Sequence, residues 1–330
     1  MYWRKKTFSQ GEHHTNKMKQ IFIIMFSLFL KFAFTQDVHY SQFDKTRSLL
    51  NPSLISKQKD DYELMLQRRS QWSSVTAPFK TLSLSFTTKN FYKNISLGGT
   101  ILNDIAGDSR FSTNGISLSL APSFVFKAST IGIGLQAGLY QRALNYNNLI
   151  FLENEYLKTM KFSFFDFSCG IFNYRKIDQK SALTVGASLF HLNRPKQSLI
   201  NNDQVFLNSK FVFHTTYSNI INPQISLAPT LYFSLQGTDK EFVFGCGSTY
   251  KLNNNVNLKS GIYTRINDAF FLTLGIDKKN IEALISYDIN TSSLSQASRY
   301  LGGLEFSIRY SWSIIKKEKE FEEIVCPKYL

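Results

Sequence analysis

The stretch NIEALISYDINTSSLSQASRYLGGLEFSIRYSW, residues 280–312, decides the fold. Its second arm alternates without a break, with apolar residues at Leu304, Phe306, Ile308, Tyr310 and Trp312 and polar residues at Glu305, Ser307, Arg309 and Ser311. Because successive side chains of a strand point to opposite faces, one face of this arm is apolar and the other is polar. A membrane β-barrel needs this pattern in every strand, with lipid outside and a polar lumen inside.

The same alternation recurs along the chain from residue 62 to residue 312. The connections between strands are alternately short and long, and the longest are 143–160, 193–208 and 290–299. Outer-membrane barrels join their strands by tight periplasmic turns and longer outside loops. The sequence therefore predicts an all-β fold, a transmembrane antiparallel β-barrel of about 14 strands over residues 62–312.

The composition of the 330-residue chain agrees with a barrel and argues against a helical membrane protein. Mean hydropathy is −0.17, and no run of 18 apolar residues occurs beyond the N-terminus. Aromatic residues make up 15% of the chain, which suits the aromatic girdles at both membrane interfaces.

The net charge of +14 raises the question of nucleic-acid binding. The first 35 residues hold six basic and one acidic residue, which leaves 32 basic and 23 acidic residues in the remainder. These basic residues are scattered and form no cluster, so nucleic acid is not the expected partner. Anionic lipids of the outer membrane, or an acidic protein partner, account for the excess equally well.

Both ends of the chain differ from the strand region. A basic start and a short apolar core, Ile21–Leu30, predict a signal peptide over residues 1–35, with Met18 as an alternative start; a short membrane anchor is the competing interpretation. Residues 36–61 lack strand alternation and are expected to form a periplasmic N-terminal segment. Residues 313–330 are expected to form a short periplasmic tail that docks a partner through Cys326, Pro327, Lys328 and Tyr329, or else a disordered end.

The inward faces of the predicted strands supply a candidate charge network. Its members are Glu63, Arg69, Arg142, Lys259, Arg265, Glu282, Asp288, Glu305 and Arg309. A selective pore usually carries a ring of one sign. The mixed signs predict pairing across the lumen, and therefore a narrowed or plugged interior with low conductance.

Enzymatic and metal chemistry are poorly supported. There is no GxSxG nucleophile motif, and His191 and His214 are interpreted as membrane-interface residues. Three cysteines without CxxC spacing indicate neither a disulfide framework nor a zinc site. Asn103, Asp104 and Asp108 resemble turn residues more than a calcium loop. We expect no cofactor and no metal.

An ordered set of short motifs resembles the PorP/SprF family of type IX secretion system outer-membrane proteins. The motifs are QDVHYSQF (36–43), NP (51–52), RSQW (69–72), PFKT (78–81), NDIAG (103–107), HLNRP (191–195), RINDA (265–269), YDINTS (287–292), GGLE (302–305) and CPKY (326–329).

The resemblance implies a non-enzymatic outer-membrane protein of a member of the Bacteroidota. It implies a role in the secretion or surface attachment of large client proteins such as gliding adhesins. The implied partners are the periplasmic ring of the secretion machine, peptidoglycan-linked components and the client. Two other functions stay open from the sequence: a porin or transporter for small solutes, and an outer-membrane enzyme acting on lipids.

Overall fold

Fourteen antiparallel strands close into one barrel in the computed structural model, which describes residues 37–71, 78–107, 110–144, 160–197, 205–292 and 301–314. Each strand pairs with its sequence neighbours, and β1 pairs with β14 to close the sheet. The predicted strand number and barrel architecture are confirmed. The strands are β1 (Tyr62–Gln71), β2 (Phe79–Tyr92), β3 (Ile95–Ala106), β4 (Phe111–Val125), β5 (Ser129–Leu144), β6 (Met160–Lys176), β7 (Ser181–Phe190), β8 (Lys210–Ile220), β9 (Ile225–Gln236), β10 (Asp239–Asn253), β11 (Val256–Arg265), β12 (Ala269–Lys278), β13 (Ile281–Asn290) and β14 (Leu301–Trp312).

The outer surface of the barrel is apolar, as the alternation predicts. In β2 the outward side chains of Leu82, Leu84 and Phe86 are exposed, and the inward Ser83 and Ser85 between them are buried. Exposed large apolar side chains also occur on the other strands except β9. A contiguous apolar surface of this extent is unfavourable in water, and it matches the lipid-facing band of an outer-membrane barrel.

Aromatic side chains reinforce the closure between the first and last strands. The Trp312 ring stacks on Tyr62, with ring centroids 5.3 Å apart, and on Tyr310, at 5.2 Å. Phe86 on β2 stacks on Tyr62 at 6.2 Å. These residues lie at one end of their strands, where an aromatic girdle meets the membrane interface.

The two ends of the barrel differ in their connections. The turns that follow the even-numbered strands are 93–94, 126–128, 177–180, 221–224, 254–255 and 279–280, and all lie at what we call the short-turn end. The three longest connections, 145–159, 191–209 and 291–300, lie at the opposite, long-loop end. Outer-membrane barrels carry their short turns on the periplasmic side, so we expect the short-turn end to face the periplasm.

Residues 40–58 lie inside the barrel, which corrects the expectation of a periplasmic segment over residues 36–61. We call residues 40–58 the lumen segment. It contains a short α-helix, Arg47–Leu50, and a 3-10 helix, Pro52–Lys57. Most of its side chains are buried. Within the described ranges, no helix is long and apolar enough to cross a membrane.

Candidate functional site

The lumen segment runs from the long-loop half of the barrel to the short-turn end. Near its start, the Ser41 hydroxyl donates to Asp288 of β13 at 2.6 Å. Near its end, Gln58 accepts a hydrogen bond from Thr87 and donates to the carbonyl of Asp61 at 2.9 Å, beside the start of β1. The lumen is therefore occupied along much of its length by the chain's own N-terminal residues.

One wall of the lumen holds a buried ion-pair cluster built around Arg69. Its guanidinium donates to Asp288 at 2.7 Å and to Glu305 at 3.0 Å, and all three side chains are at most 2% exposed. Arg69 and Glu305 are direct cross-strand partners on β1 and β14. The cluster is thus positioned by the same strand pairing that closes the barrel.

The lumen segment completes this cluster. The backbone N–H groups of Ser41 and Gln42 donate to the two carboxylate oxygens of Glu305 at 2.8 and 2.9 Å. Gln67 of β1 donates to Glu305 at 2.7 Å and to the Gln42 carbonyl at 3.0 Å. Buried charges are tolerated when they are paired and fully hydrogen-bonded, and here the lumen segment supplies part of that solvation.

A second cluster surrounds Glu282 closer to the short-turn end. Lys259 and Arg309 pair with this carboxylate, Arg309 at 3.2 Å, and Lys45 of the lumen segment lies 3.8 Å from it. Arg47 of the lumen segment pairs with Glu63 of β1. Cations from the segment therefore meet carboxylates on the wall at two further places.

The two remaining residues of the predicted charge network, Arg265 and Arg142, lie outside the clusters around Arg69 and Glu282. Arg265 donates to Glu241 at 2.7 Å and to Asp268 at 2.9 Å, and lies 3.8 Å from Asp288. The Arg142 guanidinium lies over the rings of Phe111 and Phe164 at 5.9 and 5.6 Å. The expectation of pairing across the lumen is wrong, because the pairs join nearby strands of one wall or join the wall to the lumen segment.

The lumen wall on β6 to β10 and on β12 carries an apolar cluster, which corrects the expectation of a polar interior. Leu50 and Leu54 of the lumen segment pack into a buried cluster of inward side chains, namely Phe172, Phe190, Val212, Tyr232, Val243 and Phe271. Phe43 packs beside it, with its ring centroid 5.0 Å from that of Tyr232. The lumen segment is thus amphipathic, and barrel and segment share a core like that of a soluble protein.

Asn51 fixes the middle of the lumen segment. Its side-chain oxygen accepts from Ser53 N–H at 3.0 Å and caps the 3-10 helix, and its side-chain nitrogen donates to the carbonyls of Ile171 and Ala187. The same nitrogen lies 3.2 Å from the ring of His214. His214 and His191 are both buried, so the expectation that they are interface residues is wrong.

Two glycines of the wall make room for this region. A Cβ atom on Gly134 would lie 2.2 Å from the Ser53 nitrogen, and one on Gly170 would lie 2.1 Å from the Asn51 side-chain oxygen. These contacts are far inside van der Waals distance, and the Ser53 atom is backbone. The wall and the lumen segment therefore fit each other closely at this point.

Gly134→Ala is expected to destabilise the protein by about 1–3 kcal/mol, because the added methyl group overpacks the contact with the lumen segment. The measurement is urea unfolding in detergent micelles, followed by tryptophan fluorescence. Gly99→Ala is the matched control, since its Cβ would meet only Leu118 at 3.7 Å. Equal stabilities of the two variants would contradict a tightly seated lumen segment.

His191 and Asp166 form a buried pair at 2.8 Å, which bears on the enzyme hypothesis. Ser168 donates to the Asp166 carboxylate at 3.4 Å, and Ser209 donates to the backbone carbonyl of His191 at 3.1 Å. A catalytic serine would instead bond the imidazole, which acts as its base. The described contacts link β6 to the end of β7.

Metal binding can be assessed for part of the chain. Across the described ranges, no group of three or more His, Cys, Asp or Glu side chains is arranged to hold a metal ion. Asp104, from the candidate calcium loop, accepts a hydrogen bond from Thr81 at 2.7 Å. Asp108, the signal peptide and the docking residues Cys326, Pro327, Lys328 and Tyr329 lie outside the described residues.

The structure adds residues that the sequence reasoning missed, chiefly Ser41, Gln42, Arg47 and Asn51 of the lumen segment. The amino-acid composition of this segment indicates part of its role. Residues 40–58 combine many small polar side chains with Leu49, Leu50, Leu54 and Ile55. Such a composition fits burial among partners better than a solvated linker.

Solved structures similar to this chain are outer-membrane channels. The toluene transporter TbuX of Ralstonia pickettii matches with a TM-score of 0.50 and 11% sequence identity, over 79% of this chain and 92% of its own. A FadL homologue of Pseudomonas aeruginosa matches with a TM-score of 0.46 and 12% identity, over 79% and 93%. At this identity the likeness concerns the fold alone. A search of curated proteins returned no match.

The sequence profile of one protein family covers residues 33–310, which is most of the chain and all but the last two residues of the barrel. The family is described as the type IX secretion system membrane protein PorP/SprF. Together with the apolar outer surface of the fourteen-stranded barrel, this places the protein in the outer membrane as a multi-pass protein. The chain belongs to the PorP/SprF family of type IX secretion system membrane proteins.

Proposed function

We propose that this protein is a non-enzymatic docking component of the type IX secretion machinery, which supports the secretion or cell-surface attachment of large client proteins. The observation that carries the proposal is the lumen segment. A barrel occupied by residues 40–58, and held to them by two ion pairs and by backbone hydrogen bonds to Glu305, is poorly suited to conduct a client. We therefore expect the protein to support secretion through the surfaces at the two ends of the barrel.

Two surfaces are available for docking. The connections at the long-loop end face the cell exterior, where a client emerges. The short-turn end and the residues after Ile314 face the periplasm, where the secretion ring and peptidoglycan-linked components lie. The charged tail with Cys326, Pro327, Lys328 and Tyr329 is the candidate periplasmic dock. Outer-membrane lipids surround the barrel.

The test is affinity purification from detergent-solubilised outer membranes, comparing the full chain with one truncated after Ile314. Ile314 is retained because its N–H donates to Asp61 at 3.1 Å beside the closure of the barrel. We expect both client and periplasmic components to co-purify with the full chain, and the periplasmic ones to be lost on truncation. A matched control replaces only residues 326–329 with Gly and Ser.

The second candidate function is a transporter for small solutes. It requires a continuous path through the barrel, so the lumen segment would have to leave its place. If the barrel purifies alone in both forms, the docking proposal fails and solute-uptake assays become the next step.

A further inference from the structure

The short-turn end of the barrel carries many exposed basic side chains. Among the described residues they are Lys93, Lys127, Arg175, Lys176, Lys180, Lys251, Lys278 and Lys279, and we call this set the basic rim. The ion pairs between described residues include none of the eight. The basic rim is therefore available to an acidic partner.

Two of these lysines occupy an unusual backbone conformation. Lys93 has φ +54° and Lys279 has φ +53°, in the left-handed region that glycine and asparagine favour. An L-residue there costs roughly 1–2 kcal/mol. Glycine at either turn would avoid this backbone cost but would remove the charge.

Carboxylates at this end are few and engaged. Asp60 accepts from the Ser311 hydroxyl, and Asp61 accepts from Ile314 N–H. Asp178 accepts hydrogen bonds from the Ser181 hydroxyl and the Lys180 N–H, which lower the pKa of its carboxyl group. Asp277 lies 3.6 Å from Lys259. Among the described residues, none of these four carboxylates forms an ion pair with the basic rim, although the charge of Lys180 contributes to the lowered pKa of Asp178.

The chain leaves the barrel between the two strained lysines. β14 ends beside the turn that carries Lys279, because Ser311 N–H donates to the Asn280 carbonyl at 2.8 Å. Strands lie about 4.8 Å apart, so this turn is about 7 Å sideways from the end of β14. The Lys93 turn is about 12 Å sideways on the other side, and β2 carries it about 13 Å beyond the level of Trp312, so it is about 18 Å away. Six extended residues reach about 20 Å, which spans either distance.

After Ile314 the tail reads IKKEKEFEEIVCPKYL, in which four lysines balance four glutamates. Only the stretch 318–323 is acidic, with Glu318, Glu320, Glu322 and Glu323 against Lys319, and it also holds one aromatic residue, Phe321. The exposed Phe91 and Tyr92 beside Lys93 offer that ring an apolar surface. The stretch 318–323 therefore has the charge, the distance from β14 and the apolar side chain that fit the nearest part of the basic rim.

We propose that the acidic stretch 318–323 docks on the basic rim between the turns of Lys93 and Lys279. This docking goes beyond the proposed function, since it occurs within one chain and needs no partner. It holds residues 326–329 beneath the barrel, next to the membrane surface.

The test places a fluorophore on Cys326 in a Cys169→Ala/Cys246→Ala background, in lipid discs of phosphatidylcholine. The anisotropy of the label reports whether the tail is held. We expect high anisotropy at low salt and a fall to that of a free tail at 1 M salt, where the screening length is about 3 Å. A Glu→Gln substitution of the four tail glutamates defines the free value.

Lys93→Gly/Lys279→Gly is the decisive variant. Glycine suits the backbone of both turns, so the barrel stays folded while the basic rim loses two charges. We expect the anisotropy of the label to fall to the value of a free tail. Arg110→Gly/Arg194→Gly is the matched control, because these exposed residues also have positive φ, +46° and +42°, but lie at the long-loop end. This control is expected to keep the parent anisotropy.

Charge reversal gives a further check, since Lys93→Glu/Lys279→Glu should release the tail and Glu320→Lys/Glu323→Lys should restore it. A parent tail already free at low salt, or equal anisotropy of rim and control variants, would overturn the proposal. Release of the tail in lipid discs of phosphatidylglycerol would also overturn the proposal, because it would mean that the basic rim binds lipid phosphates and not the tail. Co-purification of periplasmic partners is measured separately, so docking of the tail and the proposed function fail independently.

Discussion

Arg69→Ala is expected to lower the free energy of unfolding by about 3–5 kcal/mol, since it leaves the buried carboxylates of Asp288 and Glu305 without their cation. It also removes a hydrogen bond to Ser41 of the lumen segment. The measurement is equilibrium unfolding by urea in detergent micelles. Arg69→Lys is expected to recover little of the loss, because a single ammonium group does not reproduce the two-pronged geometry of a guanidinium.

Arg68→Ala is the matched control, because Arg68 is the adjacent residue and its side chain is exposed on the outer face. Its effect should stay within about 0.5 kcal/mol. Adding Asp288→Asn and Glu305→Gln to Arg69→Ala should recover much of the stability, since the cost arises from burying unpaired charge. An Arg69→Ala protein as stable as the control would show that the cluster does not hold the lumen segment.

Leu54→Glu is expected to open the barrel to small solutes. The substitution puts a carboxylate against the apolar cluster around Phe172 and Phe271, where burying an unpaired charge costs several kcal/mol. The unpaired charge is no longer buried if the lumen segment moves out of the lumen, and the hydrogen bonds between the barrel strands remain intact. An emptied barrel of fourteen strands approaches the sixteen-stranded porins, which hold an aqueous channel.

Liposome swelling in sugar solutions measures this opening. We expect the parent protein to give the rate of protein-free liposomes and Leu54→Glu to give a porin-like rate. Lys59→Glu is the control, since it adds a carboxylate at an exposed position beyond the 3-10 helix. A folded Leu54→Glu protein that swells no faster than the control would mean that the segment is not what closes the lumen.

The barrel was predictable from the sequence because each strand encodes its two faces locally. The alternation of Leu304, Phe306 and Tyr310 with Glu305 and Ser307 needs no knowledge of the rest of the chain. The pairing of Arg69 with Glu305 was also within reach, since it follows once β1 is placed beside β14.

The lumen segment was not predictable in this way. Its burial depends on partners more than 200 residues away in sequence, such as Glu305 for Gln42 and Asp288 for Ser41. Its own pattern has neither a helical nor a strand period, so it resembles a loop. The inward Phe172, Tyr232 and Phe271 were visible in the strand alternation, and they indicate a lumen that needs an apolar occupant.

The motifs that carry the family resemblance meet around the lumen segment. Ser41 and Gln42 come from QDVHYSQF, Arg69 from RSQW, Asp288 from YDINTS and Glu305 from GGLE, and they form one hydrogen-bonded cluster. The resemblance rests on separate short stretches of the sequence. The fold shows that these stretches are parts of one site, which supports the view that a filled lumen is central to this protein.

Planar-bilayer recording of the purified intact chain tests that view most directly. The Arg69 cluster, the Glu282 cluster and the apolar cluster hold the lumen segment in place. We therefore expect no large steady conductance steps at moderate voltage. Large, long-lived channels from the intact, correctly folded chain would contradict a filled lumen, and with it the proposal that the protein works through its outer surfaces.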